Sequence, residues 1–205
     1  MAVLEPFKRI SDPVHGIIEL NRLEADIVAT RAYQRLHNVR QLGLAHFVFP
    51  AANYSRFAHS VGACHNASRL LTAIEKNSGK LIGERDKLLI RAGGLVHDLG
   101  HYPFSHAFEH ELKEYYSSKG LAQNGDLVDP SDFQAVPDHE QMGQKVLCMD
   151  AEIGAVLERH GISAEEITAQ FDKYDRPLAP ILSSDLDCDR LDYLRRTAHH
   201  SGLPY

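Results

Sequence analysis

Apolar positions in this chain mostly recur at helical spacing. Between Glu24 and Gly43, Ile27, Val28, Tyr33, Leu36 and Val39 fall three and four residues apart with Arg31, Arg35 and Arg40 between them. That pattern predicts an amphipathic helix stopped by Gly43. Helical spacing resumes near Phe57 and runs through Val61, Leu70, Leu71 and Ile74 to Ser78-Gly79; another run carries Leu88, Leu89, Ile90, Leu95 and Val96 from about Glu84 into His97-Asp98-Leu99-Gly100. Further helices are predicted at Ser105 to Tyr116, Pro137 to Met149, Ala151 to His160, Ala164 to Phe171 and Ile181 to His200. Period-two stretches occur only near the start, around Phe7 to Ile10 and Gly16 to Leu20. They flank the turn-forming Ser11-Asp12-Pro13-Val14, which predicts a small hairpin. The Gly-, Asn- and Asp-containing stretch from Ser118 to Ala135 reads as a long exposed loop. No internal repeat or linker separates two cores. The expectation is one all-α domain over residues 1–205 with a small N-terminal β-hairpin, lacking C-terminal sequence because no cap or packing stripe follows the last helix.

Composition narrows the class further. Hydrophobic residues at 43% and charged residues at 24% describe an ordinary globular protein and exclude a mainly disordered or fibrous one. Lys and Arg number 22 against 28 Asp and Glu, so a formal charge of −6 gives no global attraction to nucleic acid or anionic lipid. Bulk nucleic-acid binding is therefore not expected, and any anionic ligand has to be met locally. The three cysteines, Cys64, Cys148 and Cys188, are odd in number and form no CxxC pair, which fits a reducing compartment and core or helix-face packing. The N-terminus lacks a continuous apolar run, and no stretch approaches the ~18 apolar residues of a membrane span. The expected location is cytoplasmic, away from membranes.

The unusual count is 13 histidines with no tryptophan. His97 and Asp98 stand side by side at the end of an apolar helix, where adjacent residues project about 100° apart and the carbonyl end favours a cation. Alone, such a pair reads equally well as a solvated helix end. Arg56-Phe57-Ala58-His59-Ser60 adds an imidazole, and Asp185, Asp187, Asp189 and Asp192 offer a late carboxylate. Two imidazoles with carboxylates suit a divalent metal such as Mn, Fe, Co, Ni, Zn or Mg, with positions left for water and phosphate oxygen.

In this order, with Asp12-Pro13-Val14-His15-Gly16, Gln34-Arg35-Leu36, Gln41-Leu42-Gly43, Val48-Phe49-Pro50-Ala51, the block from His97 to His106, His139-Glu140 and Asp187-Cys188-Asp189-Arg190-Leu191-Asp192-Tyr193, the chain resembles the HD-domain phosphohydrolases, and within them the deoxynucleoside triphosphate triphosphohydrolase branch. The likeness runs from about Arg9 to Gly202. It implies an all-α HD-domain fold, one divalent metal on His59, His97, Asp98 and Asp189, with Asp185 as the rival to the last, and a nucleotide substrate, a dNTP. It also implies a homo-oligomer, since members of the family often assemble.

Beyond the metal, phosphate-ester cleavage needs proton transfer and charge neutralisation. His106 and Glu109, three apart at a helix start, are the acid/base candidates, and by the resemblance His101 and His139 lie near the phosphates. Arg56 and Arg190 are candidate phosphate clamps; the resemblance makes Gln41 a sugar contact and sets Tyr193 against sugar or base. His110 is read as surface. Two departures stand out. Thr197 occupies the position where the closest triphosphohydrolases carry an acid that reads the sugar, and Ala29 and His37 replace the charged pair that reads a guanine activator in nucleotide-activated members. The expected activity is conversion of a dNTP and water to deoxynucleoside and triphosphate. Two alternatives stay open: an HD phosphohydrolase acting on another nucleotide phosphate ester, such as a nucleoside monophosphate or a triphosphate cleaved stepwise, and a nucleotide-sensing module without turnover.

Overall fold

The computed structural model describes residues 4–118, 137–172 and 176–204. Strand β1 (Lys8–Asp12) pairs antiparallel with β2 (Gly16–Leu20), with Ile10 opposite Ile18 and Asp12 opposite Gly16. Gly16 takes a positive φ of 76° at the turn, and the Asp12 carboxylate accepts from the backbone N–H groups of Val14 and His15. The hairpin is as expected, with β1 reaching two residues further.

The expected helix from Glu24 to Gly43 is a correction. Instead there are two short helices, α1 (Arg22–Val28) and α2 (Arg31–Gln34), then a 3-10 turn at Arg35–Asn38. Thr30 is the cause. Its hydroxyl donates to the carbonyl of Ile27 and accepts from the N–H of Tyr33, so it ends one helix and caps the next. Val39 is then extended, and Arg40 bridges Ser55.

The long helices follow the predicted pattern closely. They are α3 (Arg56–Ser78), capped by Ser55 and ended by left-handed Gly79, and α4 (Glu84–Val96). After them come α5 (His106–Ser118), α6 (His139–Met149), α7 (Ala151–Arg159) and α8 (Ala164–Thr168), which continues as a 3-10 turn through Phe171. The expected helix from Ile181 begins only at Cys188, giving α9 (Cys188–Ser201), because the Asp187 side chain accepts from the N–H of Arg190 as N-cap while Ile181 belongs to a separate 3-10 turn containing Pro180. The expected loop at Ser118 to Ala135 falls almost wholly outside the described residues. Among the described residues the architecture is all-α apart from the hairpin, and no helix is long and apolar enough to cross a membrane.

Helices α4 and α9 both pack on α3, which is why ligand-type side chains from all three helices converge. Two clusters of apolar side chains hold this arrangement. The larger joins the hairpin, α1, α3, α4 and α7; the smaller joins Ala63, Ala67, Leu71 and Ile90 to Ile181, Leu182 and Cys188. Cys64 and Cys188 lie in these cores, whereas Cys148 is exposed on α6; all three are free thiols. Close approach depends on glycine in two places. A Cβ on Gly62 would lie 1.9 Å from Asp192 Oδ1, so only glycine lets that carboxylate sit against α3. A Cβ on Gly100 would lie 2.1 Å from both the Gly143 nitrogen and the His139 carbonyl oxygen, so the loop after α4 meets α6 backbone to backbone.

Candidate functional site

His59 comes from the first turn of α3, His97 and Asp98 from the C-terminal end of α4, and Asp189 from the first turn of α9. His59 Nε2 lies 3.2 Å from His97 Nε2, 2.9 Å from Asp189 Oδ1 and 3.5 Å from Asp98 Oδ2; His97 Nε2 is 3.5 Å from Asp98 Oδ1 and 3.9 Å from Asp189. Separations of this size are the edges of a coordination shell whose bonds are roughly 2.0–2.2 Å long. Asp185, the rival carboxylate, lines a shallow outer cavity instead.

Hydrogen bonding fixes which nitrogens face inward. His97 Nδ1 donates to the carbonyl of Gly94, and His59 Nδ1 donates to Asp192 Oδ2 at 2.8 Å, leaving both Nε2 atoms turned to the centre. Burial works against charge on His59, yet the carboxylates of Asp189 and Asp192 outweigh it and push its pKa up to about 10. Burial likewise opposes charge on Asp98, but His97, Arg56 and the His101 N–H hold its carboxyl well below the usual range. The centre thus demands positive charge at His59 Nε2. A proton supplies one charge there; a divalent cation supplies two and satisfies His97 as well. These side chains could hold a divalent metal.

A second group of histidines adjoins the first. His101 Nε2 is 3.1 Å from Asp98 Oδ1, its ring stacks on His139 with centroids 4.1 Å apart, and His106 stands edge-on to both. Burial, Arg56 and His139 together lower the His101 pKa to about 4 despite Asp98, so it is neutral at pH 7. Glu109 bonds His139 Nδ1 at 2.9 Å and lies 3.9 Å from His106 Nδ1, outside hydrogen-bond range. The expected His106–Glu109 pair is therefore adjacent but not bonded, and the carboxylate engages His139. His106 is 70% exposed at the side chain, and His110 is a surface residue as expected.

One cavity of about 520 Å³ is lined by Gln41, Arg56, His97, Asp98, His101, His106, His139, Asp189 and Tyr193, so the structure brings together all the sequence-predicted site residues but three. His59 lies beneath it, wholly buried, and Glu109 sits behind His139. Arg190 is turned away, its guanidinium donating to the backbone carbonyl of Asp185 in the outer cavity. Arg56 is buried and bonded to Asp98 and to the Ser105 hydroxyl. Ser105 and Phe104 both hold left-handed backbone, φ 55° and 63°, beside the site. At the two departures, Thr197 shares a 2.8 Å hydrogen bond with the Tyr54 hydroxyl, and His37 stacks on Phe57 while the Gln34 amide donates to the Val28 carbonyl.

Sequence reasoning missed the support beneath the centre. Asp192, 0% exposed, accepts from His59, from His15 Nε2 at 2.7 Å and from two nitrogens of Arg196, whose third nitrogen reaches Asp12. Reading Asp189, Tyr193, Arg196 and His200 as one face beside the metal was wrong for Arg196, which is wholly buried in this network; His200 stacks on Tyr54. Arg35 was also missed. Its guanidinium donates to the carbonyls of Leu99 and His101 and fixes the loop that carries the His-Asp pair.

The family model described as HD domain matches residues 56–196. The human deoxynucleoside triphosphate triphosphohydrolase SAMHD1 is 34% identical over 98% of this chain and 34% of its own length; the uncharacterized protein YwfO of Bacillus subtilis (strain 168) is 31% identical over 97% of this chain and 41% of its own. A crystal structure of a phosphohydrolase from Bacteroides thetaiotaomicron VPI-5482 superposes with a TM-score of 0.75 at 31% identity, covering 96% of this chain and 43% of that one. The chain spans between about a third and two fifths of the curated relatives it matches.

Proposed function

This chain belongs to the HD-domain family, and on that premise we propose that it is a metal-dependent deoxynucleoside triphosphate triphosphohydrolase, with His59, His97, Asp98 and Asp189 as metal ligands. The observation that carries the reading is the convergence of these four on one cavity with Arg56 and three further histidines. The names of the relatives supply the substrate class. A divalent cation bound there polarises a phosphate oxygen and lowers the pKa of water. Gln41 offers a buried amide oxygen without a hydrogen-bond partner at the cavity, which suits a sugar hydroxyl, and Tyr193 supplies an aromatic wall. Arg56 neutralises phosphate charge from within its Asp98 contact. Water attacks the α-phosphorus and the bond from phosphorus to the sugar 5′-oxygen breaks. That oxygen leaves with the deoxynucleoside and takes a proton from His106, with His139, held by Glu109, and His101 beside the phosphates.

Cleavage position is the test. Purified protein with Mn²⁺ and each dNTP in ¹⁸O-labelled water is expected to yield deoxynucleoside and triphosphate, the label appearing in triphosphate because the sugar C–O bond stays intact. Nucleoside diphosphate with single phosphate, or monophosphate with pyrophosphate, would overturn the assignment. One observation favours the second reading, an HD phosphohydrolase acting on a shorter phosphate ester: Arg190 faces away from the cavity, so one expected polyphosphate clamp is not in place.

The ligand assignment has its own check. Asp98→Ala is expected to abolish metal retention, read by elemental analysis after gel filtration, while circular dichroism keeps the helical signal. Unchanged metal content would refute the assigned set.

A further inference from the structure

Of the three rings in the second histidine group, two are held by carboxylates in the way that metal-binding histidines are held. His139 Nδ1 donates to Glu109 and His101 Nε2 to Asp98, so each ring presents its remaining nitrogen as a lone pair. For His101 that nitrogen is Nδ1, buried, without a hydrogen-bond partner, in a residue only 2% exposed. One nitrogen from each of His101, His106 and His139 lies within 4.8 Å of one from each of the others. The third ring, His106, is exposed, so the group is open to solvent on that side.

We propose that His101, His106 and His139 form a second divalent-cation site, distinct from the one at His59, His97, Asp98 and Asp189, that takes a late first-row cation such as Zn²⁺ or Ni²⁺ and blocks hydrolysis when filled. Three imidazoles with no carboxylate among them select nitrogen-preferring cations; Mg²⁺, which prefers oxygen ligands, is not retained. Occupation ties up the nitrogens that would otherwise meet phosphate oxygens and deliver the proton. The binding claim stands on the histidine geometry alone, whereas the inhibition rests on the function proposed above.

The test loads the whole chain with Mn²⁺, titrates it with Zn²⁺, and counts total metal per chain by equilibrium dialysis with elemental analysis. Wild type is expected to bind one equivalent more than His106→Ala or His139→Ala, and to lose at least about 10²-fold in turnover as that equivalent fills, as expected for a blocked acid/base group. Mg²⁺ at the same concentration leaves turnover unchanged. The exposed group His110, Glu111 and Glu114 on the same helix supplies the control, and His110→Ala is expected to keep the extra equivalent. An extra equivalent that is absent from wild type, that survives in both histidine variants, or that disappears with His110→Ala overturns the site. Metal counts decide this even if no nucleotide is hydrolysed, so failure of the site and failure of the function are read separately.

Discussion

Asp192→Ala is expected to lose about 3–5 kcal/mol of folding stability, the range for breaking a buried ion pair from one side. The substitution leaves the fully buried Arg196 with Asp12 as its remaining acid and strips His15 and His59 of their acceptor, and the protein has no water there to replace it. Burial opposes charge on Asp192, but hydrogen bonds from His15, His59 and Arg196 depress its pKa strongly. A depressed carboxylate contributes its stability fully above its unfolded pKa of about 3.9 and loses it as pH falls through the folded value. The difference between wild type and variant, measured by urea denaturation, is therefore greatest at neutral pH and shrinks under strong acid. Metal affinity should fall about 10- to 100-fold in addition, since His59 loses the partner that orients it. An Asp192→Ala protein as stable as wild type at pH 7, with undiminished metal affinity, would mean that the network is incidental.

His106→Ala separates chemistry from architecture. The side chain is 70% exposed, so its removal leaves the core intact, and the nearest centre ligands are fixed by other groups. If His106 delivers the proton to the leaving 5′-oxygen, turnover falls about 10²- to 10⁴-fold while metal content and melting temperature hold. Turnover near wild type would pass the role to His139, which the structure already gives the Glu109 carboxylate, or to His101.

How far the sequence revealed this site depended on whether each signal was local. The His97-Asp98 pair, His59 on its own apolar helix and the runs from Phe57 and Glu84 are local patterns, and the corresponding elements formed as expected. Thr30 defeated the periodicity because one hydroxyl bonding backward and capping forward breaks a helix without disturbing the apolar spacing around it. Asp187 did the same to the last helix: an acid at that place is equally at home within a helix and at its cap. Asp192 and His15 were opaque for a different reason. Their meaning lies in a contact 177 residues apart along the chain, and a buried acid looks like a solvated one until its partners are in place. A signal did exist, since Gly62 has no reason to interrupt α3 unless something polar must come close.

The same network sets the order in which the molecule can be completed. Arg196 meets Asp12 across 184 residues and His15 meets Asp192 across 177, so the acceptor that orients His59 is in position only after the first hairpin and α9 have found each other. Helices α3 and α4 close over a short stretch of chain and form early; a contact spanning nearly the whole chain carries the full loop-closure entropy and forms late. A ribosome-bound chain that has not yet released α9 therefore holds two histidines and an aspartate without the geometry to keep a metal ion. Tight metal capture reports that folding has finished.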